Sequence, residues 1–123
     1  MGQEVRDIRE RAADYALRAI QLYRHLLRKR DGVGSILGKQ YLRSATSIGA
    51  NLIEAQAGES RRDFIHKCSI AQKEARESKY WLQLMLRAEL IPPARLTALL
   101  DETNQLIAIL TAIIVKSKRR LTA

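Results

Sequence analysis

Apolar residues recur along this chain at alternating spacings of three and four, the period of an amphipathic helix. Val5, Ile8, Ala12, Tyr15, Ala19, Leu22 and Leu26 form the first such stripe. On the opposite face Asp7 precedes Arg11, and Asp14 precedes Arg18, each by the four residues that let an acid support a base on a helix surface. The segment Asp31-Gly32-Val33-Gly34 ends the stripe, and its glycines offer the left-handed or extended geometry of a helix exit, leaving Ser35 to cap the next helix. A second helix then runs to about Ala57, with Gly58 just beyond it. Ser60 followed by Asp63 has the spacing of a capping box and opens a third, whose apolar stripe is Phe64, Cys68, Ala71, Ala75, Ser78, Leu82 and Met85. Ile91-Pro92-Pro93 stops that helix, and proline in a first turn can open a fourth. The expected helices are about 3–30, 35–57, 61–90 and 93–118. Short loops between them imply antiparallel neighbours, so the expected fold is all-α, a single-domain up-down-up-down four-helix bundle.

Two segments depart from the simple pattern. Between Arg43 and Gly58 the second helix is rich in small polar residues that are mediocre helix formers. Ala45, Ile48, Leu52 and Ala55 make its apolar stripe, and Ser44, Ser47, Asn51 and Glu54 lie beside it. With Gly49 and Ala50 they would let another helix approach closely, and Ala71, Ala75 and Ser78 on the third helix match them in size. Asn51 or Glu54 would then hydrogen-bond across the seam; the alternative is that this polar stripe faces water. The second departure is in the fourth helix, which carries no charge from Thr103 to Val115. Its apolar residues, including Leu106, Ile107, Ile109, Leu110, Ile113 and Ile114, cover more than the roughly three in seven positions that one buried face needs. A self-association interface is the simplest use of the surplus, with an unusually apolar core helix as the alternative. The unbroken apolar run at 106–115 falls short of the ~20 residues of a membrane span.

Composition narrows the function. The 123 residues suffice for one domain with a core. The early arginines Arg6, Arg9 and Arg11 lead into an amphipathic pattern and not a continuous apolar one, so the expectation is a cytoplasmic chain with no signal peptide. Cys68 is the one cysteine and falls on an apolar stripe, which reads as a buried, inert thiol. Metal and cofactor chemistry find no support: no glutamate precedes a histidine by three positions, as a bundle metal site requires. His25 and His66 read as surface residues, and Glu74 and Glu77 as local partners of Lys73, Arg76 and Lys79. No nucleophile has a base in a recognisable pattern, so no catalytic residue is assigned.

What remains is charge. The formal net charge is +9, which attracts polyanions. Arg24, Arg28, Lys29 and Arg30 crowd the end of the first helix, where Lys39 and Arg87 also fall in an up-down bundle. Arg61, Arg62, Lys116, Lys118, Arg119 and Arg120 gather at the opposite pole. Either set can serve phosphates, or simply the helix dipole and solubility. Tyr23, Tyr41 and Tyr80 have the spacing of residues packed at helix seams.

The stretch Arg43-Ser44-Ala45-Thr46-Ser47-Ile48, followed by Asn51, Glu54, Ser60, Asp63-Phe64 and Ile70-Ala71, resembles the signature of the four-helix-bundle proteins of the large-subunit rRNA intervening-sequence family. Where many members read Asn-Ile-Ala-Glu-Gly, this chain has Asn51-Leu52-Ile53-Glu54-Ala55. The resemblance implies a homopentamer and a non-enzymatic role. It also implies a link to the accessory variability determinant of diversity-generating retroelements, which binds nucleic acid and a reverse transcriptase through a basic surface. The function expected is therefore an oligomeric scaffold binding RNA or DNA through phosphates. A protein-binding adaptor with an acidic partner is the alternative.

Overall fold

The computed structural model describes residues 2–122, with side chains described from Ile8 onward. Four helices account for almost all of them: α1 (Gly2–Lys29), α2 (Gly32–Gln56), α3 (Arg61–Arg87) and α4 (Pro93–Thr122). Each packs on its neighbour in sequence, and α4 closes against α1. The diagonal pairs α1/α3 and α2/α4 bring no Cα atoms within 8 Å of each other among the described residues and meet only through core side chains. The arrangement is an antiparallel bundle with one core at its centre, as the hydrophobic spacing requires.

Local chemistry sets the helix ends, and not always at the residues expected. α2 begins at Gly32, three residues before the expected start, because Asp31 and not Ser35 caps it. The Asp31 carboxylate accepts from the backbone N–H of Val33 at 3.0 Å and of Gly34 at 3.3 Å. Neither glycine of that segment takes a positive φ; the left-handed residue leaving α1 is Arg30, at φ 55°. α3 likewise ends at Arg87, ahead of the prolines. There Glu89 sits at φ 57°, its N–H donates to the Leu86 carbonyl, and the Leu90 N–H donates back to Met85. Those two bonds are the paired closure of a Schellman motif, built without glycine. Ser60 caps α3 as expected, accepting from the Asp63 N–H at 3.1 Å.

The core answers why α2 carries small polar residues. Ser44 and Ser78 are both fully buried and meet across the α2/α3 seam at 2.8 Å. Beside them Tyr15 bonds Thr103 at 2.5 Å, and the Tyr15 and Tyr41 rings meet edge to face with centroids 6.1 Å apart. A polar layer from all four helices thus crosses an otherwise apolar core. Asn51 and Glu54 do not join it: the half-buried Asn51 amide donates to its own helix at the Ser47 carbonyl, and Glu54 is exposed. Ser47 likewise donates to the Arg43 carbonyl of its own turn. Gly49 permits ordinary packing, since a Cβ there would lie 3.7 Å from Ala12 Cβ. The close approach is at Gly38, where a Cβ would come within 2.6 Å of Leu26 Cδ1 and 3.0 Å of Tyr23 Cδ1.

Part of the apolar surplus of α4 is used inside the bundle. Leu106, Leu110, Ile113 and Ile114 are buried in the protomer's own core, while Ile107 and Ile109 pack against its edge. By length and mean hydropathy alone α4 could cross a bilayer, a capacity the uninterrupted run at 106–115 understates. Here its apolar stripe lies against α1 and α3. The apolar side chains left exposed are mainly elsewhere, among them Leu17 and Leu27 on α1, Val33, Ile36 and Ile53 on α2, and Tyr80 on α3. Cys68 is buried, and burial pushes its thiol up to about 11.

Candidate nucleic-acid interface

Ion pairing decides which bases remain available. Arg43 spans from α2 to α3, reaching Glu77 at 2.7 Å and Glu74 at 3.4 Å, so these carboxylates answer a base on another helix and not their sequence neighbours. Arg11 bonds both carboxylate oxygens of Glu102 on α4, at 2.7 and 3.0 Å, and reaches Gln105 as well. Those acids hold both guanidiniums charged, through hydrogen bonds above all. The two pairs gird the middle of the bundle and stitch adjacent helices, a structural use of charge.

From the middle of α1 toward the pole formed by its end and the start of α4, the bases are differently placed. Arg18, Gln21, Leu22, His25 and Arg28 of α1 and Arg95 and Leu99 of α4 line a groove of about 220 Å³. Buried Leu22 and Leu99 contribute its apolar part. No carboxylate lines it. Among the described residues Arg18, Arg28 and Arg95 form no ion pair within 4.0 Å. His25, expected on an open surface, is half-buried here. Burial, then the charges of Arg95, Lys29 and Arg28, lower its pKa below the usual imidazole range.

The remaining residues expected at this pole divide. Lys29 Nζ donates to the Leu90 carbonyl at 2.7 Å and ties the end of α1 to the turn before α4. Arg24 and Arg30 are exposed and do not line the groove, and Lys39 and Arg87 are exposed too. At the other pole Arg62, Lys116, Lys118, Arg119 and Arg120 are exposed and Arg61 is half-buried, all at the start of α3 and the end of α4. Arg18 and Arg95 are absent from the sequence-based assignment, because nothing in local spacing reveals that residues on the first and last helices line one groove. Tyr41 is buried and Tyr23 packs at the α1/α2 seam, whereas Tyr80 is exposed and stacks edge-on against Trp81 at 5.2 Å. No group of three or more His, Cys, Asp or Glu side chains suited to a metal ion occurs among the described residues.

The fold and this charge distribution define a small basic four-helix bundle in which Glu74, Glu77 and Glu102 are paired between helices. Residues 4–112 match the model of the 23S rRNA-intervening sequence protein family, and the chain belongs to that family. It is also similar to a crystal structure of a protein of unknown function from the S23 ribosomal protein family of Bacteroides thetaiotaomicron. The two share 37% identity at a TM-score of 0.84, over 90% of this chain and 97% of that one. No curated protein matches the chain.

Proposed function

We propose that this protein is a non-enzymatic, self-associating module that binds RNA or DNA through backbone phosphates. The observation that carries the reading is the set of bases left without a protein anion. Arg11 and Arg43 are neutralised by Glu102, Glu74 and Glu77, while Arg28 and Arg95 at one pole, Arg119 and Arg120 at the other, and Arg76 on α3 between them face solvent without a carboxylate within ion-pair distance among the described residues. Phosphate contacts of this kind bind with little sequence preference and weaken steeply with salt. The membership of an rRNA-linked family agrees with a nucleic-acid ligand.

Self-association is assigned to the α1/α2 flank and not to α4. Ala12, Ala13, Ala16, Thr46 and Gly49 form a shallow groove there, with Arg9, Glu10 and Ile53, the last 62% exposed, also lining it and Leu17, 57% exposed, on the next position of α1. Small residues flanked by large exposed ones suit ridge-into-groove packing against another helix surface. Association would multiply the basic poles into a polyvalent surface.

The test is binding of a mixed-sequence RNA, followed by light scattering and by retention at two salt concentrations. Charge reversal at Arg28, Lys29 and Arg30, or at Lys118, Arg119 and Arg120, should weaken binding and flatten its salt dependence while helicity is unchanged. RNA binding that survives both reversals overturns the site assignment. Absence of RNA binding by the parent, with retention of an acidic protein, would favour the adaptor.

A further inference from the structure

We propose that the α1/α4 groove is a discrete oxyanion site that seats one phosphate group between Arg18 and Arg28 on one side and Arg95 on the other. Arg18, Arg28 and Arg95, from two helices, line one groove, with Arg95 facing the stretch of α1 between the other two, and each guanidinium offers several N–H donors of the geometry that phosphate accepts in pairs. Gln21 adds a neutral donor at the same wall. The contrast along α1 is informative: Arg11, two turns before Arg18, is satisfied by Glu102 and Gln105, whereas the groove's three arginines have no protein anion. Like charges that line one concavity repel one another, a cost that a bound anion would reverse. The first turn of α4, which bears Arg95, contains no acid, so its dipole adds to the positive potential.

His25 supplies an internal reporter. The charged groups that act on its imidazole are Arg28 and Lys29 from its own helix and Arg95 across the groove, and no carboxylate opposes them. A dianion seated between these arginines would relieve that repulsion and shift His25 titration upward. The phosphate could belong to a nucleic-acid strand or be free. The strand source rests on the nucleic-acid reading above; the groove itself does not.

The experiment follows the two histidines by NMR in the full-length protein during titration with inorganic phosphate, against sodium chloride at equal ionic strength. Binding of mixed-sequence RNA is measured in parallel for the parent, for Arg18→Gln/Arg95→Gln, and for Arg119→Gln/Arg120→Gln. Phosphate is expected to move His25 saturably while exposed His66 stays still, and to leave His25 unmoved in Arg18→Gln/Arg95→Gln. That variant should also lose about tenfold or more in RNA affinity, as expected for lost charge-assisted bonds. If His25 responds but RNA does not bind, the groove is a free-phosphate site and the nucleic-acid reading fails. If RNA binds the parent and Arg18→Gln/Arg95→Gln equally and His25 ignores phosphate, the groove proposal fails and the nucleic-acid reading stands. A normal helical circular dichroism signal in Arg18→Gln/Arg95→Gln shows that loss of binding is not loss of fold.

Discussion

The Ser44–Ser78 contact makes a directional prediction, because the hydroxyl hydrogens can be traced. With Ser44 Oγ–H donating to the Tyr41 carbonyl at 3.1 Å within its own helix, the 2.8 Å bond between the serines is assigned to Ser78 as donor and Ser44 as acceptor. Both side chains are fully buried, and no water replaces a lost partner cheaply. Ser44→Ala would leave the Ser78 hydroxyl facing a methyl group with only the Tyr15 hydroxyl beside it, at a cost of up to about 1–3 kcal/mol for the poorly satisfied donor. Ser78→Ala leaves Ser44 still donating to Tyr41 and forfeits only an accepted bond, about 0.5–1.5 kcal/mol. With both replaced, no donor is stranded, so the double variant should cost less than the sum of the singles, by about 1 kcal/mol. The gain in helix propensity from serine to alanine occurs in each arm and cancels in the cycle. Urea unfolding of the four proteins, at one protein concentration so that any association is held constant, measures this. Additivity within about 0.3–0.5 kcal/mol would refute the argument and mean that the two serines do not depend on each other.

The neighbouring tyrosines should respond differently to loss of their hydroxyls. Tyr15 donates to Thr103, whose own hydrogen is committed to the Leu99 carbonyl, so Tyr15→Phe should cost about 1 kcal/mol in urea unfolding. The buried Tyr41 hydroxyl makes no well-aligned hydrogen bond and has only the Tyr15 hydroxyl nearby, so Tyr41→Phe should be close to neutral; a loss above about 1 kcal/mol would show that its contact with Tyr15 is a full hydrogen bond. Burial raises both tyrosine pKa values in the folded chain above the ordinary 10.0, and that of Cys68 from 9.0 to about 11. The unfolded chain therefore loses these protons first, so stability is complete below pH 9 and falls as pH rises, first with Cys68 and above pH 10 with the tyrosines. Each such group adds up to about 1.4 kcal/mol per pH unit to the slope. A urea midpoint constant from pH 8 to 11 would contradict the assignment.

How much of this was legible in the sequence depends on whether the signal is periodic. The core stripes of α1 and α3 could be read directly, since burial on one helix face imposes the spacing of three and four. The caps required ranking competing residues: Asp31 prevailed over Ser35 because its carboxylate reaches two backbone donors, and this drew both glycines into the helix. Counting apolar positions on α4 does not separate the faces covered within the bundle from any left over, because the count assumes a single covered face. In a four-membered ring α4 is flanked by α1 and α3, and Leu106, Leu110, Ile113 and Ile114 are spent there. Arg43 and Glu77 are 34 positions apart, and Arg18 and Arg95 lie on the first and last helices. Such meetings follow from how helices turn toward each other, which no single helix encodes.

α1 joins these observations because three of its faces have different uses. Its central stripe, Ile8 through Leu26, builds the core. On the side toward α2 it offers Ala13 and Ala16, with exposed Leu17 beside them, and on the side toward α4 it offers Arg18, His25 and Arg28. The proposed association flank and the proposed phosphate groove therefore lie on opposite sides of one helix. Packing a second copy against the α1/α2 flank leaves the α1/α4 groove of each copy open, so every added subunit would add one phosphate site at a fixed separation. A ligand with regularly spaced phosphates gains from such an array by effective concentration, whereas a free phosphate gains nothing. Disrupting association should on this reasoning weaken a polymeric nucleic acid far more than inorganic phosphate, which ties the oligomer to its ligand through geometry alone.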